Sequence, residues 1–261
     1  MLPLLLLLPG FFSGLISEPV AVVEIHGFIG SDVIADDVVQ TLEAIETGEY
    51  AAVILDIDSP GGSAVDSHKI VKALEKMTKP KVAVIGNAAV SGAYWVAAAC
   101  DHIVSDELSF VGSIGATTQF FSVEGLAERY GVIAETIAYP ENKAFGNIFK
   151  NMTPDERDYA QGMAESAGRY FQESVLAFRP EVSPYVDGLP YVAYKAPEMV
   201  DKFGGFNEAV AAAETLTGTN LDPEILASDT GIFGMIKKFS GLRSKGPFNL
   251  LELVFQVPYY L

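Results

Sequence analysis

The feature that most restricts the fold of this chain is a regular alternation of strand and helix candidates, which begins near residue 20. Short runs rich in β-branched residues predict strands at residues 20–25, 51–57, 82–85 and 102–104. Between the first three of them, residues 34–45 and 65–77 repeat apolar side chains at the spacing of an amphipathic helix. This alternation predicts an α/β fold with a largely parallel sheet.

A later helix is predicted from its first turn. Thr153 is a suitable N-cap, Pro154 suits the first helical position and Glu156 completes a capping box, so we expect a helix to about Phe178. Another β-branched run predicts a strand at residues 132–138. No internal repeat, linker or charge block divides the chain. The expected organisation is an apolar segment at residues 1–18, one α/β domain at residues 19–216 and a C-terminal extension at residues 217–261.

The two ends of the chain differ in composition from its centre. Residues 1–16 are almost wholly apolar, but a transmembrane helix needs about 20 such residues, and the positive charge of a secretory signal is missing. Three interpretations stay open: an atypical or truncated signal anchor, a segment that docks on a membrane or a partner, and an oligomer contact. Residues 232–245 mix Lys and Arg with apolar side chains, which suits an interfacial helix or a helix packed on a neighbouring subunit.

Net charge and cysteine content exclude two classes of function. The net charge of −17 makes nucleic acid a poor partner, because affinity for phosphate comes from clusters of Lys and Arg. The single cysteine, Cys100, excludes an internal disulfide framework and a metal site built from several cysteines. Because Cys100 follows three alanines, we expect it to be a small buried residue.

The first candidate site is a glycine turn that follows the strand at 51–57. Residues 58–63 read Asp-Ser-Pro-Gly-Gly-Ser and precede a predicted helix. Consecutive glycines at such a turn allow backbone N–H groups to converge on one point, where they can bind a phosphate or a developing oxyanion. A Pro-Gly-Gly turn with a purely structural role is the alternative.

The second candidate is Ser91, which also follows a predicted strand. Small residues on both sides allow a sharp strand-to-helix turn that would present the hydroxyl as in a nucleophile elbow. The alternative is that Ser91 only caps the helix that runs toward Cys100.

A serine nucleophile needs a base. None of the three histidines, His26, His68 and His102, has a context that would orient it toward a nucleophile, so a Ser/His/Asp triad is disfavoured. Lys143 is the other candidate, because it follows the strand predicted at 132–138 and would approach the same sheet edge. Burial there would lower the pKa of a lysine and leave it able to accept a proton. A solvated loop lysine is the alternative.

Four segments, in this order, resemble the signal peptide peptidase A family of Ser/Lys proteases. Residues 56–63 are similar to its Asp-Ser-Pro-Gly-Gly segment, and residues 91–95 to the Ser-Gly-Gly-Tyr-Tyr around its nucleophile. Residues 111–115 contain its Gly-Ser-Ile-Gly, and residues 143–157 resemble the segment with its general-base lysine. The resemblance covers about residues 20–215 and implies a ClpP/crotonase-like fold, a superhelix of repeated β-β-α units with a largely parallel sheet.

Carried over by position, the resemblance implies that Ser91 is the nucleophile and Lys143 the general base. Ser113 is expected to hold the lysine amine by a hydrogen bond, and the backbone N–H groups of Gly62 and Gly92 are expected to form the oxyanion hole. The reaction would be peptide hydrolysis through an acyl-enzyme. No metal or organic cofactor is implied.

The resemblance also implies substrates, assembly and location. Substrates would be extended apolar peptides, such as remnants of cleaved signal sequences, that lie beside a sheet edge and contact Gly61 and Ser59. Family members of this length form homo-oligomeric rings or domes that enclose the active sites. Many are membrane-associated with the active site on the extracytoplasmic side, whereas a phage-type relative would be cytoplasmic.

The chain departs from the family pattern at three positions. Ala93 stands where Gly is usual, Leu189 stands where Arg is usual, and Glu141 precedes Lys143 where small or aromatic residues are common. A carboxylate near the base favours the protonated lysine, which affects the expected pH optimum.

Three other functions stay open. A crotonase-type acyl-CoA enzyme has the same fold, and residues 79–88 and 99–101 resemble its central segment, but Glu107 is not in a recognisable context for its catalytic Glu. A non-catalytic scaffold, such as a phage-capsid-associated relative, would use the fold for assembly. An energy-dependent Ser/His/Asp peptidase of the caseinolytic type would need a catalytic histidine, for which there is no clear candidate.

Overall fold

A computed structural model of the chain describes residues 17–226, which form one sheet with helices on both faces. The sheet has eight strands in this part of the chain: β1 Glu18–His26, β2 Ala52–Ser59, β3 Lys81–Val90, β4 His102–Ser105, β5 Phe110–Gly112, β6 Pro190–Val192, β7 Lys202–Phe203 and β8 Leu221–Leu226. The α-helices are α1 Ala35–Thr47, α2 Ala64–Lys76, α3 Gly92–Ala98, α4 Glu124–Arg129, α5 Pro154–Phe178 and α6 Phe206–Thr217.

The sheet is mostly parallel, as the sequence predicts. Its main strand order is β6-β5-β3-β2-β1-β8, and of these neighbours only β5 and β6 are antiparallel within the described residues. The long strand β3 forks the sheet, because residues 82–85 pair with β4 whereas residues 88–90 pair with β5. The carboxyl end of β3 therefore lies between β2 and β5.

An apolar layer packs against each face of the sheet. On one face, alternate residues of β1 to β3, such as Val23, Leu55 and Ile85, pack in a common core with α1, α2, α3 and α5. On the other face, residues such as Ile54 and Val84 pack against α6. Strands buried on both faces read as nearly continuous apolar runs, which explains why these strands are visible in the sequence.

Strands β1 to β4 confirm the strands predicted at 20–25, 51–57, 82–85 and 102–104. Helices α1 and α2 confirm the two predicted N-terminal helices. The capping box is confirmed too. Glu156 N–H donates to Thr153 Oγ1 at 3.2 Å, and Thr153 N–H donates to the Glu156 carboxylate at 2.9 Å. The helix α5 ends at Phe178, where the sequence places it.

Two expectations differ from the structure. The prediction of a strand at 132–138 is wrong, because this run forms no strand and nearly all of its side chains are exposed. The run has the β-branched composition of a strand, but it has no neighbouring strand to pair with. The domain boundary expected at 216 is too early, because β8 pairs with β1 in register from Glu18 opposite Leu221 to Val23 opposite Leu226.

Within residues 17–226, no helix combines the length and the apolar character needed to cross a membrane. The apolar segment at 1–16 and the basic-apolar segment at 232–245, for which several interpretations are open, lie outside the described residues.

Candidate active site

The glycine turn after β2 is held from inside by Ser59. The Ser59 hydroxyl donates to the Gly27 carbonyl at 2.6 Å and accepts the Gly61 N–H at 3.1 Å, and the Ser59 side chain is fully buried. Gly61 is also buried, and its carbonyl accepts the Ile29 N–H at 2.8 Å. Both residues therefore maintain the turn, and the expectation that they contact a substrate stays a prediction.

The segment around Ile29 clamps the turn on both sides of Gly62. Besides the bond from Ile29 N–H to Gly61, the Ser63 N–H donates to the Ile29 carbonyl at 2.8 Å. Gly62 has a φ of 153°, and a Cβ at this position would collide with the Ile29 carbonyl oxygen. The Gly62 N–H has no acceptor among the described residues. Its position is fixed, and it is free to donate to a ligand.

Ser91 stands at the end of β3 in a strained backbone conformation. Its φ is 54° and its ψ is −131°, a region that residues with a side chain rarely adopt. The Ser91 N–H donates to the Gly112 carbonyl at 2.7 Å, which holds the turn in place. Ser91 is the N-cap of α3, but its hydroxyl makes no capping hydrogen bond. The alternative of a purely capping role therefore lacks its hydrogen bond, and the partly buried hydroxyl is available for chemistry.

Ser113 repeats this geometry on the neighbouring strand. Its φ is also 54°, and Ser91 and Ser113 are the non-glycine residues with positive φ in the described part of the chain. Val90 pairs with Gly112 across parallel strands, so the two serines follow paired residues. Neighbouring strands lie about 4.8 Å apart, which makes the two serines adjacent.

The glycine turn and the Ser91 turn touch each other. A Cβ built on Gly61 would lie 2.8 Å from both the Gly92 nitrogen and Ser91 Cβ. The Gly92 N–H begins α3 and, like that of Gly62, has no acceptor within the described chain. The structure thus brings Ser91, Gly92, Gly61, Gly62 and Ser113 together at the carboxyl ends of β2, β3 and β5.

Lys143 is placed differently. It lies in a 3-10 helix, Glu141–Ala144, and its side chain is exposed, contrary to the expectation of burial at the sheet edge. Among residues 17–226, its amine makes no hydrogen bond or ion pair, either with Ser91 and Ser113 or with the nearby Glu141. The single chain therefore does not contain a formed Ser91–Lys143 hydrogen bond.

We call residues 116–151, which carry Lys143, the arm. Much of its apolar surface is open: Ile137 is 98% exposed and Tyr139 is 97% exposed. Further exposed apolar side chains of the arm are Phe121, Leu126, Tyr130, Val132 and Ile133. Part of the arm packs on itself and on α5, with Phe145 in edge-to-face contact with both Phe120 and Tyr159. An apolar surface of this extent is typical of a protein contact.

The histidines have other partners. His26 Nε2 lies 3.5 Å from Asp56, and His102 Nδ1 lies 3.9 Å from Asp201. His68 stacks on Trp95 with ring centroids 5.4 Å apart, and its Nε2 is 2.9 Å from the Tyr170 hydroxyl. None of them hydrogen-bonds to Ser91 among the described residues, in keeping with the sequence argument against a triad.

Sequence reasoning misses two residues next to the site. Ile29 clamps the glycine turn through its backbone, and a backbone contact leaves no signal in residue type. Ser67, in α2, is fully buried beside Gly92. Its position four residues after Ser63, on the buried face of a predicted amphipathic helix, is the signal that could have found it.

Comparison with known proteins matches the sequence to a peptidase family and the structure to a protease fold. The sequence model of peptidase family S49 matches residues 73–220. A protein of Synechocystis named as a protease is 31% identical over 82% of this chain and 79% of its own length. The chloroplast serine protease SPPA of Arabidopsis thaliana is 29% identical over 75% of this chain, and protease 4 of Haemophilus influenzae is 32% identical over 70%. This chain covers only 30% and 31% of those two proteins.

Two solved structures show the fold. A membrane-bound stomatin-specific protease, solved with a substrate peptide, superposes with a TM-score of 0.50 at 17% identity over 87% of this chain and 99% of that one. A ClpP protease of Listeria monocytogenes gives a TM-score of 0.50 at 12% identity over 72% of this chain and 93% of that one. The fold is therefore ClpP-like, and the family match favours a protease over an acyl-CoA enzyme.

Proposed function

Because the chain belongs to peptidase family S49, a family of serine proteases, we propose that it is an endopeptidase in which Ser91 and Lys143 form the catalytic dyad. The observation that carries this proposal is the position of the Ser91 hydroxyl. It makes no capping bond, it sits on a strained turn, and it lies beside two N–H groups without acceptors, those of Gly62 and Gly92.

The reaction follows from these groups. Neutral Lys143 accepts the proton of Ser91 Oγ, and the oxygen attacks the carbonyl carbon of the scissile peptide bond. The negative charge that develops on the carbonyl oxygen is received by the N–H groups of Gly62 and Gly92, which are already oriented and need no rearrangement. Lys143 then protonates the leaving amine, and water, deprotonated by the same lysine, hydrolyses the acyl-enzyme. Ser113, adjacent to Ser91, is suited to hold the lysine amine.

Lys143 reaches Ser91 when the arm is buried in a homo-oligomer, which we propose to be a ring or dome. The exposed apolar side chains of the arm support this, since Ile137 and Tyr139 have almost no contact in the single chain. Removing water from a lysine amine disfavours its charged form, so such an interface would favour the neutral base. Assembly and activation of the base are then the same event.

The proposed substrates are extended apolar peptides, including remnants of signal sequences. Two exposed apolar side chains flank the glycine turn and support this preference: Phe28, which precedes the Ile29 clamp, and Val65 in the first turn of α2. We also propose membrane association, because residues 1–16 are almost wholly apolar, with the active site on the extracytoplasmic side, as the family resemblance implies.

The test is cleavage of a fluorogenic signal-peptide-like substrate from pH 6 to pH 10 by the assembled protein. Ser91→Ala and Lys143→Ala are each expected to lose at least about 10³-fold in kcat while remaining folded. The wild-type rate is expected to rise with pH, because only the deprotonated lysine can act as the base. Lys150→Ala is the matched control: Lys150 is a lysine of the same arm, bonded to Glu156 at 3.0 Å. It should keep its activity within about threefold.

Each other outcome contradicts a different part of the proposal. Loss in Ser91→Ala but not in Lys143→Ala would mean that another group is the base. Equal loss in Lys143→Ala and Lys150→Ala would mean that the arm needs its positive charge for assembly rather than for chemistry. Absence of any Ser91-dependent cleavage would reject the endopeptidase.

A further inference from the structure

A second serine of the site region, Ser67, has an unusual environment. It lies in α2, its side chain has no exposed surface, and its Oγ has no hydrogen-bond partner among the described residues. A serine within a helix commonly donates to the carbonyl four residues earlier. Here the Ser63 carbonyl accepts only the Ser67 backbone N–H, at 2.9 Å.

Ser67 lies behind Gly92, one of the two residues whose N–H groups form the proposed oxyanion site. A Cβ built on Gly92 would collide with Ser67 Oγ, so the hydroxyl is in contact with the Gly92 backbone. The same Cβ position is 3.7 Å from the Gly62 nitrogen. The hydroxyl therefore contacts Gly92, and the Gly62 nitrogen lies near the same position of the Gly92 backbone.

A buried hydroxyl without a partner destabilises the folded protein, because it loses its hydrogen bonds to water and gains none. Such a group in a native structure calls for an explanation, and a functional site is one of the places where it is found. An O–H without an acceptor is also free to rotate. In a site shielded from water, a free dipole turns toward a negative charge that develops nearby.

We infer that Ser67 is a positioning residue of the oxyanion site, and this inference rests on the proposed function. Its hydroxyl supports the Gly92 backbone from behind and turns its dipole toward the charge that develops on the substrate carbonyl oxygen. It does not touch the substrate, because Oγ is shielded from solvent by the Gly92 turn. Its missing partner is thus the charge of the transition state, which the resting protein lacks.

The test compares Ser67→Ala with a matched control, Ser105→Ala. Ser105 is also fully buried, but its Oγ donates to the Asp106 carbonyl at 3.0 Å. For both variants we would measure the melting temperature and the kcat and KM of Ser91-dependent cleavage. Ser67→Ala is expected to keep or raise its melting temperature and to lose about tenfold in kcat at unchanged KM, less than the roughly 10²–10³-fold loss for a direct oxyanion donor. Ser105→Ala is expected to melt lower with unchanged kcat.

Ser67→Cys and a transition-state analogue make the test specific. Cysteine keeps the shape but has a weaker S–H donor, so its kcat should lie between those of the wild type and Ser67→Ala. A peptide boronic acid, which forms a tetrahedral adduct with a serine nucleophile, should bind Ser67→Ala more weakly by about the factor lost in kcat.

Three results would overturn the inference. If Ser67→Ala melts as far below the wild type as Ser105→Ala does, the hydroxyl has a structural role, whatever the activity. If Ser67→Ala keeps its kcat and its affinity for the boronic acid, the hydroxyl has no role in the reaction. If KM rises in proportion to the loss of kcat/KM, Ser67 supports substrate binding instead. Failure of the proposed function is distinguishable, because it is seen in the wild type itself, as a lack of Ser91-dependent cleavage.

Discussion

The two halves of the proposed site are built in opposite ways. Ser91 and the glycine turn follow central strands, and α3 behind them is wholly buried, with the Tyr94 hydroxyl bonded to the Met199 carbonyl at 2.9 Å. The Trp95 Nε1–H donates a further hydrogen bond to the Ser174 hydroxyl of α5, at 2.8 Å. The arm that carries Lys143 contains instead one short α-helix and a 3-10 turn, and most of its large apolar side chains face solvent.

The difference separates what folding prepares from what the proposed assembly would add. The proposed nucleophile and oxyanion donors are held by backbone hydrogen bonds and by the core, so their geometry is present before any substrate or partner binds. The proposed base lies on a segment whose apolar side chains are largely exposed in the single chain. We therefore expect mutations at the sheet end to affect the isolated chain, and mutations on the arm to affect the assembly.

The largest effect is expected from the substitution Gly62→Ala. The added Cβ would collide with the Ile29 carbonyl, and the φ of 153° disfavours a side chain, so the turn must move. Loss of one aligned donor is expected to lower kcat by about 10²–10³-fold. The strain should also lower the free energy of unfolding by more than about 1 kcal/mol. Kinetics and urea denaturation of the same preparation would measure both.

Gly162→Ala is the control for Gly62→Ala. Gly162 lies in the exposed part of α5, where a Cβ would meet nothing within 4 Å. Alanine there is expected to raise the free energy of unfolding by about 0.5–1 kcal/mol without changing kcat. Equal kcat for Gly62→Ala and Gly162→Ala would remove the glycine turn from the proposed oxyanion hole.

A second pair of substitutions compares the core with the arm directly. Leu55→Ala, at a fully buried position of β2, should lower the free energy of unfolding by about 2–5 kcal/mol. Ile137→Ala should change that of the single chain by less than about 0.5 kcal/mol, because Ile137 is 98% exposed. It should instead shift the protein toward smaller species in sedimentation velocity and lower kcat in parallel. An unfolding loss for Ile137→Ala close to that of Leu55→Ala would show that the arm packs on its own domain.

A smaller effect is expected where the arm joins α5. Thr153→Ala removes one side of the capping box and should cost about 1 kcal/mol of unfolding free energy. Thr153→Ser keeps the hydroxyl and should restore most of it. Because the helix start also anchors the end of the arm, hydrogen exchange should increase in the first turn of α5 and not in α3. Increased exchange in α3 would mean that the two halves are coupled in the single chain.

The smallest effect concerns the cysteine behind the nucleophile helix. Burial raises the pKa of the Cys100 thiol to about 12, so almost no thiolate forms at pH 8. Iodoacetamide should therefore leave the native protein unmodified and label Cys100 only after denaturation, as measured by mass spectrometry. Labelling of the native protein at the denatured rate would mean that the end of α3 opens more readily than its burial suggests.

The fold could be predicted from the sequence wherever the local residue pattern matches the burial that the folded protein imposes on the same residues. The runs at β1, β2 and β3 are apolar because both faces of the sheet are covered, and the start of α5 is set by hydrogen bonds within one turn. Residues 132–138 show the limit of this argument. They have a strand-like composition, but pairing needs a neighbour distant in sequence, and the structure provides none.

The candidate site divides in the same way. Glycines 61 and 62 could be recognised in the sequence, because close backbone approach demands glycine there, whereas Ser91, Gly92 and Ser113 are expected from the family resemblance, since a strained positive-φ turn does not call for serine. The role of Ser59 in holding the turn could not be predicted, since its hydroxyl donates to the carbonyl of Gly27, 32 residues away. Ser67 was missed because an unpaired hydroxyl is a property of its surroundings and not of its residue type.

The sequence by itself determined the α/β class, the positions of the main strands and helices, and the glycine turn of the proposed site, because these depend on periodicity and on the backbone demands of single residues. Only the tertiary structure decided which turns meet. It placed Gly62 and Gly92 beside Ser91, left Lys143 exposed on the arm and enclosed Ser67 without a partner. These outcomes depend on packing between residues far apart in the chain, and such distances are set by the whole fold.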